Sequence, residues 1–161
     1  MSGIIDTVGS KSGIVGSDVY PAGHVVSSDY GFYTGADIGK WDSLFTEAST
    51  QLRVTITPTS PNKILLVCQG GLSHAGTDSL ILYSSWGIVG GSMNLASSTQ
   101  GLEASNRNTK VSHSMAILVI PSAYGSAITY TPTYSTISGT CYFTEGSANQ
   151  NITSYALEIK Q

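Results

Sequence analysis

The run Leu52-Arg53-Val54-Thr55-Ile56-Thr57-Pro58-Thr59-Ser60-Pro61-Asn62-Lys63-Ile64-Leu65-Leu66 holds two strands and the corner between them. Leu52, Val54 and Ile56 alternate with Arg53, Thr55 and Thr57, so one face of the first strand is apolar and the other polar. Pro58 and Pro61 bracket the corner; proline has no N–H to give to a ladder, so the strand cannot continue through it. From Lys63 to Gln69 the chain is densely apolar, and Gly70-Gly71 reads as the end of the second strand.

The same grammar extends toward the C-terminus. Ser79–Trp86 reads as a strand, with Gly87–Leu95 as its hairpin partner or a bulged continuation. Ser97–Asn108 is polar and reads as a long loop. Lys110–Ile120 is the longest strand, closed by Pro121. Ala127–Tyr134 sets Ile128, Tyr130 and Pro132 on one face, and Pro132 points to an edge or a bulge. Gly139–Thr144 is a short strand. Ile152–Lys160 ends the chain with Tyr155, Leu157 and Ile159 on one face, either core or an intersubunit contact. No helix is expected beyond a turn or two in Ser43–Gln51. Seven or eight short strands at this spacing predict an all-β antiparallel sandwich. Composition agrees: 25 Ser, 17 Thr and 18 Gly stand against 11% charged residues, which suits strands and tight turns and excludes a coiled coil or helical bundle.

Residues 1–45 differ from the sandwich domain expected over 46–161. They contain eight of the glycines and five of the ten acidic residues, with no sustained period. Ser2-Gly3-Ile4-Ile5 is echoed by Ser12-Gly13-Ile14-Val15, two small apolar anchors in a Gly/Ser tether. Such a segment has too little to bury to fold alone. It reads as an extended arm lying in a groove, or else as a frayed terminus.

Several chemistries are absent from the sequence. The seven Lys and Arg residues are scattered and the formal net charge is −3, so no basic stripe faces phosphates and nucleic-acid binding is not expected. No apolar run approaches the ~18 residues of a membrane-spanning helix, and the N-terminus lacks a secretion signal, which predicts synthesis in a cytoplasm. His24, His74 and His113 have no metal-ligand spacing among themselves or with Cys68 and Cys141; His113, on an apolar strand, reads as a hydrogen-bonded core or interface residue. Cys68 and Cys141 read as buried thiols rather than a bridge. Asp78, Glu103, Glu145 and Glu158 are too dispersed to suggest a glycosidase pair. Asn151-Ile152-Thr153 is a chance sequon in a chain without a signal. No nucleophile elbow or phosphate loop occurs, so no enzymatic activity and no cofactor or metal are expected. Nine Tyr and two Trp divide between core and interfaces.

The 52–66 run resembles the V-x-I-T-P-x-S-x-x-N-K-I-L signature of short virion structural proteins from marine (cyanophage-like) tailed phages. Ile128-Thr129-Tyr130, Gly139-Thr140-Cys141-Tyr142 and the ending Tyr155-Ala156-Leu157-Glu158-Ile159 are similar to the endings of that group, and Ser12-Gly13-Ile14-Val15-Gly16 to their N-termini. The resemblance implies a homotrimeric jelly roll of the tumour-necrosis-factor/complement type, located on the virion and without enzyme activity. Tail-fibre members are usually longer and carry a stem; the absence of one here favours a capsid decoration (cement) protein. The expected partner is then the major capsid protein or another virion protein, gripped by Ile4, Ile5, Ile14 and Val15. Tyr142, Tyr155, Leu157 and Ile159 are the candidate trimer contacts. The alternative is a tail-fibre, receptor-binding head that recognises a host glycan through loops around Asn106, Arg107 and Asn149. An unrelated lectin-like module is a third reading.

Overall fold

In the computed structural model the described residues are 22–34, 38–40, 44–75, 80–95, 100–104, 110–138, 140–143 and 152–161. They form eleven strands: β1 Val25–Tyr33, β2 Ile38–Lys40, β3 Thr46–Glu47, β4 Val54–Ile56, β5 Lys63–Ala75, β6 Leu80–Ile88, β7 Gln100–Ala104, β8 Lys110–Val119, β9 Ile128–Ser138, β10 Thr140–Phe143 and β11 Ile152–Ile159. A single 3₁₀ turn, Thr50–Leu52, stands between β3 and β4. All pairings are antiparallel.

Three ranks of the fold consist of two strands laid end to end. β10 pairs with β5 from Leu72 to Ala75, and β11 pairs with the same strand from Lys63 to Gln69. On their far side β1 follows β11 and β2 follows β10. β3 and β4 likewise share the edge of β9. Counted by ranks, sheet A runs β1/β2, β10/β11, β5, β8, and sheet B runs β3/β4, β9, β6, β7. In chain order that is ranks 1-8-3-6 facing ranks 2-7-4-5. First pairs with last, second with seventh, third with sixth and fourth with fifth, which is the double Greek key of a jelly roll. The expected all-β antiparallel sandwich is therefore observed, and its topology follows from strand order alone. The proline corner is not a hairpin turn: it carries the chain from β4 in sheet B to β5 in sheet A.

The two inner faces meet in one core of Leu52, Val54, Ile56, Ile64, Leu66, Cys68, Leu82, Trp86, Met115, Ile128, Tyr130, Tyr134, Ile152 and Ala156. The 3₁₀ turn plugs one flank. Leu52 is fully buried there, its carbonyl accepts the Ser154 hydroxyl at 2.7 Å, and the turn lies so close to β1 that a Cβ on Gly31 would come within 2.8 Å of the Gln51 oxygen. The Asp29 carboxylate accepts the Thr55 N–H at 2.6 Å, joining β1 to β4 across the same flank. The Arg53 guanidinium grips Glu47 with two contacts of 2.7 Å, spanning the break between β3 and β4.

Several expectations require correction. Among the described residues the sheet begins at Val25, not after residue 45: β1 and β2 use main-chain pairing that needs no apolar period. β5 runs through Gly70-Gly71 to Ala75, because the absent Gly70 side chain makes room for Ile152, whose Cγ1 would lie 2.7 Å from a Cβ there. Gly87–Leu95 is not a partner strand. β6 ends at Ile88 and the chain folds back through Gly90 at φ 79°, with the Leu95 N–H donating to the Trp86 carbonyl at 2.7 Å. Part of the expected 97–108 loop is strand β7, held by its ladder to β6. Pro132 sits in central strand β9, neither at an edge nor in a bulge. Its carbonyl accepts the Ala48 N–H at 3.1 Å, so the proline nitrogen also faces the broken β3/β4 rank, where no ladder bond is required.

Candidate functional site

β11 alternates strictly between buried and half-buried positions, with Ile152, Ser154, Ala156 and Glu158 inward. Tyr155, Leu157 and Ile159 therefore face out of sheet A. Of the two readings open for that stripe, the core is excluded. The expected contact Tyr142 lies in β10, and its side chain is outside those described.

Register extends the stripe into a surface. Tyr155 stands beside Tyr30 on β1 and Val67 on β5; Leu157 stands beside Ser28 and Leu65; Ile159 stands beside Val25 and Lys63. Leu65 and Val67 in turn face Leu118 and Ala116 on edge strand β8. Ile120 continues that edge. Of the seven exposed large hydrophobic side chains among the described residues, five belong to this face: Val25, Tyr30, Phe32, Leu118 and Ile120, with Tyr30 at 72% and Ile120 at 73% exposure. Lys63 is the one charged residue in these rows. Scattered exposed apolar side chains are normal, but a contiguous apolar sheet face marks an interaction surface.

The two flanks of the sandwich are unequal. At the β1 flank the 3₁₀ turn and the Asp29–Thr55 bond close the gap between the sheets. At the β8 flank the sheets part over a groove of about 400 Å³, lined by Ile88 and Tyr130 from sheet B, Leu118 and Val119 from sheet A, and Leu95, Ile120 and Ser122 from the loops beside them. Tyr130 is 1% exposed, and its hydroxyl has no hydrogen-bond partner among the described residues. Burial holds that phenol above its ordinary pKa, so it stays a proton donor.

His113 is buried as expected, edge-to-face with Tyr134 at 5.9 Å between ring centroids, but the expected hydrogen bond is not seen at Nε2, which finds no partner among the described residues; burial lowers its pKa. Cys68 contacts the Tyr134 hydroxyl at 3.5 Å, and burial pushes its thiol up to about 12, which suppresses the thiolate. A Cys68–Cys141 bridge is excluded by register: Cys141 is opposite His74, six residues along β5 from Cys68, or ~20 Å of strand against the ~7 Å limit for a disulfide. The Glu158 carboxylate is buried and accepts from the Thr59 N–H, the Thr59 hydroxyl and the Asn62 amide at 2.6 to 2.8 Å. Among the described residues no cluster of His, Cys, Asp and Glu could hold a metal. The arm residues Ile4, Ile5, Ile14 and Val15, and the loop residues Asn106, Arg107 and Asn149, lie outside the described residues.

No protein-family model matches this chain. No curated protein matches it either. Among solved structures it is similar to the Eiger TNF from S. frugiperda, at 8% identity and a TM-score of 0.45, covering 86% of this chain and 94% of that one. Values this low carry no relationship; the jelly-roll assignment rests on the strand order. The apolar face of sheet A could not have been identified from sequence alone, because Tyr30, Phe32, Leu118 and Ile120 become one surface only when the register is known.

Proposed function

We propose that this chain is a structural protein of a tailed-phage particle, that it acts as a homotrimer assembled through the outer face of sheet A, and that it decorates the capsid. The observation that carries the assembly reading is the contiguous apolar face around Tyr155 and Leu157, bare in the monomer and nearly uncharged, as interface cores are. The virion reading is supported by the 52–66 run and the C-terminal ending, which resemble phage structural proteins. In this reading the echoed anchors Ile4, Ile5, Ile14 and Val15 fill small pockets on the shell protein, and many weak copies act together through avidity. The trimer is non-enzymatic and works by contact alone.

Two measurements test this. Light scattering of the purified chain should give three times the monomer mass. A mass-spectrometric copy count in purified particles should give a ratio near one per major capsid subunit. A ratio of a few per cent would move the protein to the tail and favour the receptor-binding alternative, in which a host glycan is the ligand. Absence from particles would end the virion reading.

A further inference from the structure

Sheet A has a free edge beside the groove. Among the described residues β8 pairs with β5 alone, over the ten residues from Lys110 to Val119. Its other side presents a row of main-chain N–H and C=O groups to any extended segment that reaches it. The groove lies at the C-terminal end of this edge, where Ile88, Leu95, Val119 and Ile120 make its lining aliphatic. Such a site takes a strand whose main chain pairs with the edge while its apolar side chains enter the groove.

Register places the root of the N-terminal arm at the same end of the sheet. Val25 is opposite Ile159, and Ile159 is opposite Lys63. Ile64 is opposite Val119, so Lys63 is level with Ile120. The Gly23 N–H donates to the Lys160 carbonyl at 2.8 Å, which fixes where residues 1–21 join the sandwich. From Val25 to Ile120 is three strand spacings, about 14 Å. Ala22 lies at most three residues, ~10 Å, beyond Val25, so the gap to the groove is under ~20 Å. Val15 is seven residues before Ala22, ~23 Å of extended chain, and so reaches the groove with slack.

We propose that Ile14 and Val15 of the chain's own arm seat in the β8 groove, with residues 13–16 added as a strand to the edge of β8. Three observations favour this occupant. First, the chemistry matches: residues 12–17 are uncharged, Ile14 and Val15 are β-branched and suit a strand, and Gly13 and Gly16 let the main chain lie against the edge. Second, the size matches: an apolar cavity of ~150 Å³ already accepts benzene, so about 400 Å³ holds two branched aliphatic side chains. Third, the tether is short, and a short flexible link supplies its segment at a millimolar effective concentration. The outer anchor Ile4-Ile5 hangs on 17 residues rather than seven, which lowers its effective concentration about fourfold. The two halves of the echo therefore differ in role: the inner pair holds the body and the outer pair stays available to a partner.

This inference concerns the free chain and does not depend on the virion reading. Tyr30, Tyr155 and Leu157 stay uncovered, so it is compatible with assembly through the outer face. If the arm also grips a shell, the shell gains Ile14 and Val15 only by drawing them out of the groove, and the groove sets how tightly the arm can hold.

The test uses the free full-length chain with no particle present, so its failure leaves the copy count untouched. Ser122 is exposed in the groove lining. Val15→Cys with Ser122→Cys, oxidised at low concentration, should bridge within one chain, giving a single-chain band on a non-reducing denaturing gel and linked peptides that contain residues 15 and 122. Neither single variant should bridge. A two-chain band would place the arm in another copy's groove and overturn the assignment to its own; no 15–122 bridge would overturn the proposal outright. As a second readout, Ile14→Asp with Val15→Asp should speed amide hydrogen exchange within residues 114–119 ~10-fold or more, with the far-ultraviolet spectrum unchanged. Ile4→Asp with Ile5→Asp should leave that exchange as in the wild type. Equal protection of the β8 edge in the wild type and the inner-anchor variant would sink the added strand.

Discussion

Glu158 is nearly fully buried yet remains ionised. Burial alone would raise its pKa; the hydrogen bonds from Thr59 and Asn62 outweigh this and hold the carboxyl below its usual value. Because the folded pKa lies below the unfolded one of ~4.3, the bonds stabilise the fold fully above that pH. The contribution is lost as pH falls through the folded value. The bonds tie the last strand to the proline corner that passes between the sheets, so their loss reaches both. Glu158→Gln presents an amide to three donors and should cost ~1–3 kcal/mol at pH 7 by urea denaturation. It should also flatten the decline in stability below pH 4.3; an unchanged acid limb would show that other carboxylates carry it. The identity of Glu158 as an interior residue was not legible in the sequence, where it read as one of four dispersed acids. Its three donors come from a corner 96 to 99 residues away.

The strands with clean alternation were legible: β4, β8 and β11 lie within a few residues of their expected bounds. Those held mainly by main-chain pairing were not. β1 carries Ser27, Ser28, Asp29 and Gly31 and shows no period, because its outer positions are bare and Gly31 receives the 3₁₀ turn. Gly70 misled for a related reason, since it serves close approach rather than a strand end, as Gly31 also does. Gly31→Ala would place a Cβ 2.5 Å from the Ser154 Oγ and 2.8 Å from backbone atoms of the turn. Those backbone atoms cannot rotate away, so the change should cost ~1–3 kcal/mol and lower Tm by several degrees. A Tm within one degree of wild type would mean that the turn moves freely.

At the scale of the whole molecule, the fold class was readable from composition and spacing, but the interaction surface was not. Alternation in β11 predicts two faces without saying which one is covered. If the outer face of sheet A is buried only on assembly, stability is tied to association. The melting temperature should then rise with protein concentration in the wild type and lose that dependence in Ile120→Glu. Concentration-independent melting of the wild type would mean that the face stays bare. The paired breaks in sheet A carry a separate consequence. Tyr33 is opposite Ile152 and Ile38 is opposite Phe143, so two connections more than a hundred residues apart in sequence leave and rejoin the sheet at one level. β5 passes beside them unbroken and keeps the register on both sides. Insertions at either connection therefore need not disturb the ladder, and insertions at both would emerge as neighbours. The architecture thus offers lineages one place to vary, where two independent segments can evolve into a single composite surface while the sandwich beneath stays constant.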